Sequence, residues 1–502
     1  MTDLPDDLRP NGEETLDSAG DGPTSSAGAG SRRPRRAGLV VAAVLAVGLV
    51  GGAVAYGVTQ LSGGGAQPDA MVPSSALAIV SVDLDPSAGQ KIDALRFARA
   101  FPELKARVGG EDLRKVVFDA VSGPAGFAGA WDDVETWLGE RAAVAVLPAA
   151  DPLDDPVPIV VLAVTDEDKA RAGLPEAVPS ASCQVVRSFA VCGNDRATVS
   201  RAVADAGTRS LAQDRTYTGD LAALGDQGIV AAWASLDRLS AAAPDLLSGL
   251  RGVGGSLAGA GEQLKGRYVA TVRFDGPHLE VAGRAVGTGA TRTEGTTDVG
   301  TLPQDTLVAL GIGDADTLVG SAWQRVRAAA SGMGGQKAFD DQVSQLSATM
   351  GLTLPDDVTA AVGDRLSVAV GTGGTPRVAL RVTGSSDSVE RLRAAVERAS
   401  GSTLATARSG EATVIATDQA YATAVAQGSG LAGTERFDDA VPDADRAQAV
   451  LYLDVEGLVA GYGPQLGVDA GTLQRLRPVS ALGVTVRPDG DALDVRLRVV
   501  TR

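Results

Sequence analysis

At 502 residues the chain is too long for one ordinary core, and with only 4% aromatics that core must be built from small aliphatic side chains. The net charge of −17, without any basic stripe, excludes nucleic acid as an expected partner, because its phosphates would be repelled. One histidine and two cysteines leave a zinc site or a Ser-His-Asp triad almost nothing to be built from.

Residues 1–36 are rich in Gly, Ser, Pro and acids, and they read as a disordered cytoplasmic tail. The apolar stretch Ala37 to Val58 follows, and residues 37–59 are assigned as a transmembrane helix. As a helix the stretch would span roughly 33 Å, enough for a bilayer core. Arg32, Arg33, Arg35 and Arg36 sit just before it, so the N-terminus is expected in the cytoplasm and the rest outside, in the cell envelope. Ala53-Val54-Ala55 resembles a signal cleavage site, which makes a removed signal peptide the alternative. Residues 60–71, with Leu61-Ser62-Gly63-Gly64-Gly65-Ala66-Gln67-Pro68, read as a flexible tether.

Residues 72–286 form a first unit. A strand is expected at Ala76–Val82, then helix-spaced Ile92, Leu95, Phe97, Phe101 and Leu104, then strands at Ala142–Leu147 and Pro158–Val164. A helix from Asp166 precedes a short hairpin. A two-residue turn at Arg187-Ser188 places Cys183 opposite Cys192 as a non-hydrogen-bonded pair, so a Cys183–Cys192 disulfide is predicted, with two buried thiols as the alternative. A strand at Ile229–Leu236, a helix and a hairpin (Tyr268–Phe274, Leu279–Val286) complete the unit.

A polar linker, 287–300, leads to residues 301–502, which repeat the plan. Strands are expected at Thr306–Ile312, Leu366–Val370, Arg377–Thr383 and Gln448–Leu453, a helix at Ser388–Ala399, and a last hairpin at Ala481–Arg487 and Ala492–Val499. Collinear matches tie the units together: Pro73 with Pro303, Leu138 with Val362, Val164 with Val382, Tyr217 with Phe437, and Gly276 with Gly490. The expected class is α+β: two tandem, structurally similar lobes, each a mainly antiparallel sheet with helices on one face, after one N-terminal transmembrane helix.

Aspartates close strands at Asp83, Asp85, Asp237, Asp314, Asp316 and Asp454. Carboxylates there could bind a divalent cation, but N-capping of the following helices is the expected role. Gly139-Glu140-Arg141 and Gly363-Asp364-Arg365 read as turns with an exposed ion pair. His278 is expected to be a solvated turn residue, and Trp137 and Trp233 to be core. Gly252–Gly255 and Gly371–Gly374 lack the Lys-Ser/Thr of a phosphate loop. No catalytic, cofactor-binding or metal-binding residue is assigned, and no cofactor.

Val72 through Pro86, Lys91 through Leu104 and Trp137 through Pro148 resemble the actinobacterial family with the domain of unknown function 3352. The resemblance implies a single-pass envelope protein and supplies no catalytic residues. The expected function is a non-enzymatic binding or scaffold protein of the envelope, held in the membrane by residues 37–59, with an envelope protein or ligand as partner. The alternatives are an enzyme using strand-end carboxylates and a divalent cation on a glycan or phosphoester, and an envelope assembly or chaperone factor.

Overall fold

Strand β1 (Ala78–Asp83) is aliphatic and β-branched, and Ser87 ends the following turn by accepting a hydrogen bond from the Gln90 amide at the start of helix α1 (Ala88–Ala100). In the computed structural model the described residues are 65–502, apart from 102–111, 113, 116, 117, 119–129, 153, 243–264, 333, 334, 374, 429, 466 and 468. The tail and the apolar segment therefore lie outside the described residues. No helix among the described residues is long and apolar enough to cross a membrane.

Helix α2 (Trp131–Val134) leads to β2 (Leu138–Leu147) and β3 (Val157–Val164). Then come α3 (Glu167–Ala177), the hairpin β4 (Ser182–Val186) and β5 (Phe189–Gly193), α4 (Arg196–Thr208) and α5 (Arg215–Ala223). Strand β6 (Val230–Ser235) and α6 (Leu236–Ala242) precede the hairpin of β7 (Arg267–Asp275) and β8 (His278–Val286). The second half runs β9 (Thr306–Gly313), α7 (Ala315–Gly332), α8 (Gln336–Met350), α9 (Asp356–Val362), β10 (Arg365–Gly371) and β11 (Arg377–Val382). It continues with α10 (Ser386–Ser400), β12 (Ala405–Ser409), β13 (Ala412–Ala416), α11 (Gln419–Gln427), α12 (Glu435–Ala440) and β14 (Ala449–Asp454). It closes with α13 (Val455–Tyr462), α14 (Ala470–Leu476), β15 (Val479–Asp489) and β16 (Ala492–Thr501). Every expected strand is present, and an α+β class with one large antiparallel sheet is the result.

All sixteen strands belong to one sheet, in the order β12-β13-β11-β10-β9-β14-β15-β16-β8-β7-β6-β1-β2-β3-β5-β4. Neighbours run antiparallel throughout. From the centre outward, the first half reads β8-β7-β6-β1-β2-β3-β5-β4. The second reads β16-β15-β14-β9-β10-β11-β13-β12, the same order of elements. The halves meet at β8 and β16, where Ala492 pairs with Val286 and Val499 with Leu279.

Helices were expected on one face only, and the sheet corrects this. Ile79 and Val80 are both buried and point to opposite faces, as neighbours in a strand must. Ile79 packs in a cluster with Val199 and Ala202 of α4 and Tyr217 and Leu221 of α5. Val80 packs with Ala94 and Phe97 of α1. The run Ile159-Val160-Val161-Leu162 in β3 has no polar alternation, which is the sequence sign of a strand covered on both faces.

The stretch 287–300 is not a free linker along its whole length. Val299 is fully buried, and the Thr297 amide donates to the Ala447 carbonyl at 3.0 Å. Gly311 and Gly313 permit this close approach. A Cβ on Gly311 would lie 2.3 Å from Val299 Cγ1, and one on Gly313 would lie 2.4 Å from the Gly295 carbonyl.

Candidate functional site

The end of β1 and the start of β2 hold a polar cleft. Antiparallel pairing sets Asp83 opposite Arg141. Arg141 Nε donates to Asp83 Oδ2 at 3.0 Å, and its Nη2 donates to Asp85 Oδ2 at 3.2 Å. The other Asp83 oxygen accepts from the Asp85 amide at 2.8 Å, which turns the chain sharply after the strand. Lys91, buried on the first turns of α1, forms an ion pair with Asp85 Oδ1. Gln67 reaches in from the tether end, its Nε2 donating to Asp83 Oδ2 at 2.9 Å.

Gln67, Asp83, Asp85 and Arg141 wall a cleft of about 380 Å³ with Ser81 and Asp226. That volume lies within the usual range of small-molecule sites. Desolvation first, and then the charge of Asp85, raise the nearby Glu140 carboxyl from its ordinary value.

The matching place in the second half is filled. Gly295–Val299 corresponds to Gly65–Asp69 at the 230-residue offset that joins Pro73 to Pro303, and there the segment lies directly on Gly311 and Gly313. In the first half those two strand positions are Ser81 and Asp83. Both line the cleft there, with Gln67 of the segment bonded to Asp83.

The strand-end aspartates do not act as one set. Only Asp454 caps a helix as expected, accepting from the Gly457 amide at 2.7 Å. Ser87, not Asp85, caps α1. Asp237 accepts from the Gly266 amide and Asp314 from the Gly295 amide, so each fastens a loop. Strands β1 and β9 are separated by six others, which keeps Asp83 and Asp85 apart from Asp314 and Asp316. Among the described residues, no group of three or more His, Cys, Asp or Glu is placed to hold a metal ion.

Arg141 departs from the expected exposed turn, whereas Arg365 is exposed beside the turn at Gly363-Asp364 as expected. Arg141 lies inside β2, its side chain 12% exposed between two carboxylates. His278 is also corrected. It is mostly buried, and its Nε2 lies 3.8 Å from Asp439 Oδ2 of α12 in the other half. Burial lowers its pKa, while Asp439 acts the other way. Trp137 and Trp233 are core as expected, and the Trp233 indole donates to Asp220 Oδ2 at 2.9 Å.

Cys183 and Cys192 are joined in a disulfide, as predicted. They are direct partners in the β4–β5 ladder with Cα atoms 4.1 Å apart, the close spacing of a non-hydrogen-bonded pair. Arg187 and Ser188 both take positive φ, the two-residue hairpin turn that fixes this register.

Sequence reasoning missed Gln67 and Ser81 as parts of the cleft, and Lys91 as the partner of Asp85. The available signal was the contrast of Ser81 and Asp83 with Gly311 and Gly313 at matching positions.

No protein-family model matches the chain, and no curated protein or solved structure is similar enough to count as a match.

Proposed function

We propose that the chain is a membrane-anchored, extracytoplasmic, non-enzymatic binding protein of the cell envelope. It is built from two tandem lobes, and the first lobe's cleft at Asp83, Asp85 and Arg141 is its binding site. The observation that carries this reading is the difference between equivalent places in the two halves: one is closed by backbone on glycine, the other is a cleft lined by polar side chains. The Asp83 and Asp85 carboxylates are both held by Arg141, with Gln67 on the first and Lys91 on the second, an arrangement suited to rigid polar recognition.

The placement rests on the apolar residues 37–58, the arginines before them and the family resemblance. The disulfide fits the same placement, since such bonds persist in oxidising compartments. The tether is short on the folded side. Pro68, Met71 and Val72 are already buried, so few residues separate the anchor from the cleft.

The test uses the full-length chain in detergent micelles. Thermal melting is followed with spermidine, glucosamine, inorganic phosphate and calcium chloride. At least one should raise the melting temperature of the parent protein, and Arg141→Gln should abolish that shift. If none does so, the cleft is not the site. Separately, Asp155→Cys in the exposed loop before β3 should react with an impermeant maleimide on intact cells. Labelling only after permeabilisation would overturn the placement.

A further inference from the structure

The central strand pair carries two polar networks that correspond residue by residue. Gly276 and Gly490 lie 214 positions apart in their hairpin turns, and the same offset carries Arg273 to Arg487, Asp275 to Asp489, Glu280 to Asp494 and Arg284 to Arg498. In the first network Glu280 accepts from Arg273 Nε at 3.0 Å and from Arg498 Nε at 3.1 Å, and Arg498 also pairs with Asp275. In the second, Asp494 accepts from Arg284 at 2.7 Å and from Arg487 at 3.5 Å, and Arg284 also pairs with Asp489 at 2.8 Å.

Each arginine at the junction thus serves the other half's acid, and each does so at the equivalent position. The register explains why. Ala282 pairs with Arg496, and 214 positions separate these two as well, so each is its own counterpart across the junction. Steps of two residues on either side then place Glu280 opposite Arg498 and Arg284 opposite Asp494. A contact in which position i meets j and position j meets i is the mark of an isologous, two-fold interface.

We propose that β8 and β16 are two versions of one self-pairing edge, so that the halves hold each other as the subunits of a homodimer do. The edge fits a second copy of either half. Both strands carry an acid and an arginine four residues apart about a central position: Glu280, Ala282 and Arg284, then Asp494, Arg496 and Arg498. Laid antiparallel on itself about that position, either strand again sets acid against arginine on both sides. A one-lobed chain with this edge would present it to another copy of itself. In this protein the stretch 287–300 supplies the second copy in place, at high effective concentration. The inference rests on the tandem-lobe reading and not on the cleft.

The experiment uses the full-length chain in detergent micelles, tagged at the N-terminus, with a site-specific protease sequence inserted between Gly289 and Ala290. After cleavage the C-terminal fragment should stay with the tagged one. The paired change Asp494→Glu with Arg496→Ala, which writes the β8 pattern into β16, should leave retention unchanged. Arg498→Glu, which opposes two acids, should release the fragment. Arg284→Asp serves where circular dichroism shows that the uncut Arg498→Glu chain has not folded. Release from the cut parent chain overturns the proposal. Retention there with release from the interchanged chain sinks the self-pairing edge while leaving the tandem lobes standing.

Discussion

Arg284 and Arg498 hold the same place in the two halves, and each donates to an acid of the other half: Arg284 to Asp494, Arg498 to Glu280. The two acids differ in depth. The Glu280 side chain is 2% exposed and that of Asp494 is 16% exposed. Burial pushes the Arg498 guanidinium below its ordinary pKa, and nearby Arg273 adds to this, so Glu280 keeps two cations apart in a dry setting. Glu280→Ala should therefore lower unfolding stability by about 3–5 kcal/mol, because it strands buried charge. Asp494→Ala removes a less buried acid and leaves Arg284 paired with Asp489, so it should cost about 1 kcal/mol. Urea unfolding midpoints at unchanged slope would measure both. Equal losses would show that depth is not the cause.

The glycines under Gly295–Val299 make a second prediction. Gly313→Asp and Gly311→Ser install the first half's residues in the second. Neither has room, since a Cβ would meet backbone or side-chain atoms within 2.4 Å. Each should cost about 1–3 kcal/mol through overpacking. The reverse change Ser81→Gly removes only a side chain from an open cleft and should cost less, about 1 kcal/mol, from added chain entropy. A thermal melt of the three variants separates these outcomes.

Strand positions and hairpins were readable because their signals are local. The Asp275-Gly276 and Asp489-Gly490 turns give positive φ at glycine, and the flanking strands are rich in β-branched and apolar residues. The cleft was not readable in the same way. Arg141 meets Asp83 only through strand pairing across 58 residues, so in sequence it looks like a charged turn. His278 looked solvated for a similar reason: the residue that covers it, Asp439, belongs to the other half. Two-sided burial was visible only in the uninterrupted apolar run of β3, and elsewhere small residues such as Ala143 and Ala145 carry it without a strong hydrophobic signal.

The β4–β5 hairpin lies at the end of the sheet, with β4 paired on one side only. Its disulfide closes a short loop, nine positions in separation. Loop entropy of that length corresponds to about 2–3 kcal/mol. Cys183→Ala with Cys192→Ala should lower stability by that amount in urea unfolding. Reductant should shift the parent midpoint to the same value and leave the double variant unmoved. A reductant effect on the double variant would assign the loss elsewhere.

Asp69 sits where the tether joins the fold, and the Tyr217 hydroxyl donates to it. Burial nevertheless raises its carboxyl above the ordinary value of 3.8. The folded state then binds a proton more readily than the unfolded chain. The resulting stability is present below pH 3.8 and is lost as pH rises through the folded value. Asp69→Asn should be more stable than the parent at neutral pH, and the difference should shrink as the medium is acidified toward pH 4. Paired urea titrations from pH 4 to 7 would show it, and a gap that grows on acidification would contradict it.

His278 gives the opposite slope. Burial holds its pKa below 6.5, so the unfolded chain takes the proton first. Its contribution is complete above pH 6.5 and is lost as pH falls from there toward the folded value. The groups facing it are Asp439 of α12, 3.8 Å away, and Asp275, its partner across the turn, which is itself engaged by Arg498. Among the described residues the buried Nδ1 has no hydrogen-bond partner. His278→Ala installs the residue found at the matching position, Ala492, which is fully buried. The variant should lose less stability than the parent between pH 6.5 and 5, seen as parallel parent and variant curves above pH 6.5 that converge or cross below it. Curves that stay parallel through this range would mean that Asp439 offsets the burial, that His278 takes its proton equally in the folded and unfolded states, and that the junction between the halves is indifferent to its protonation.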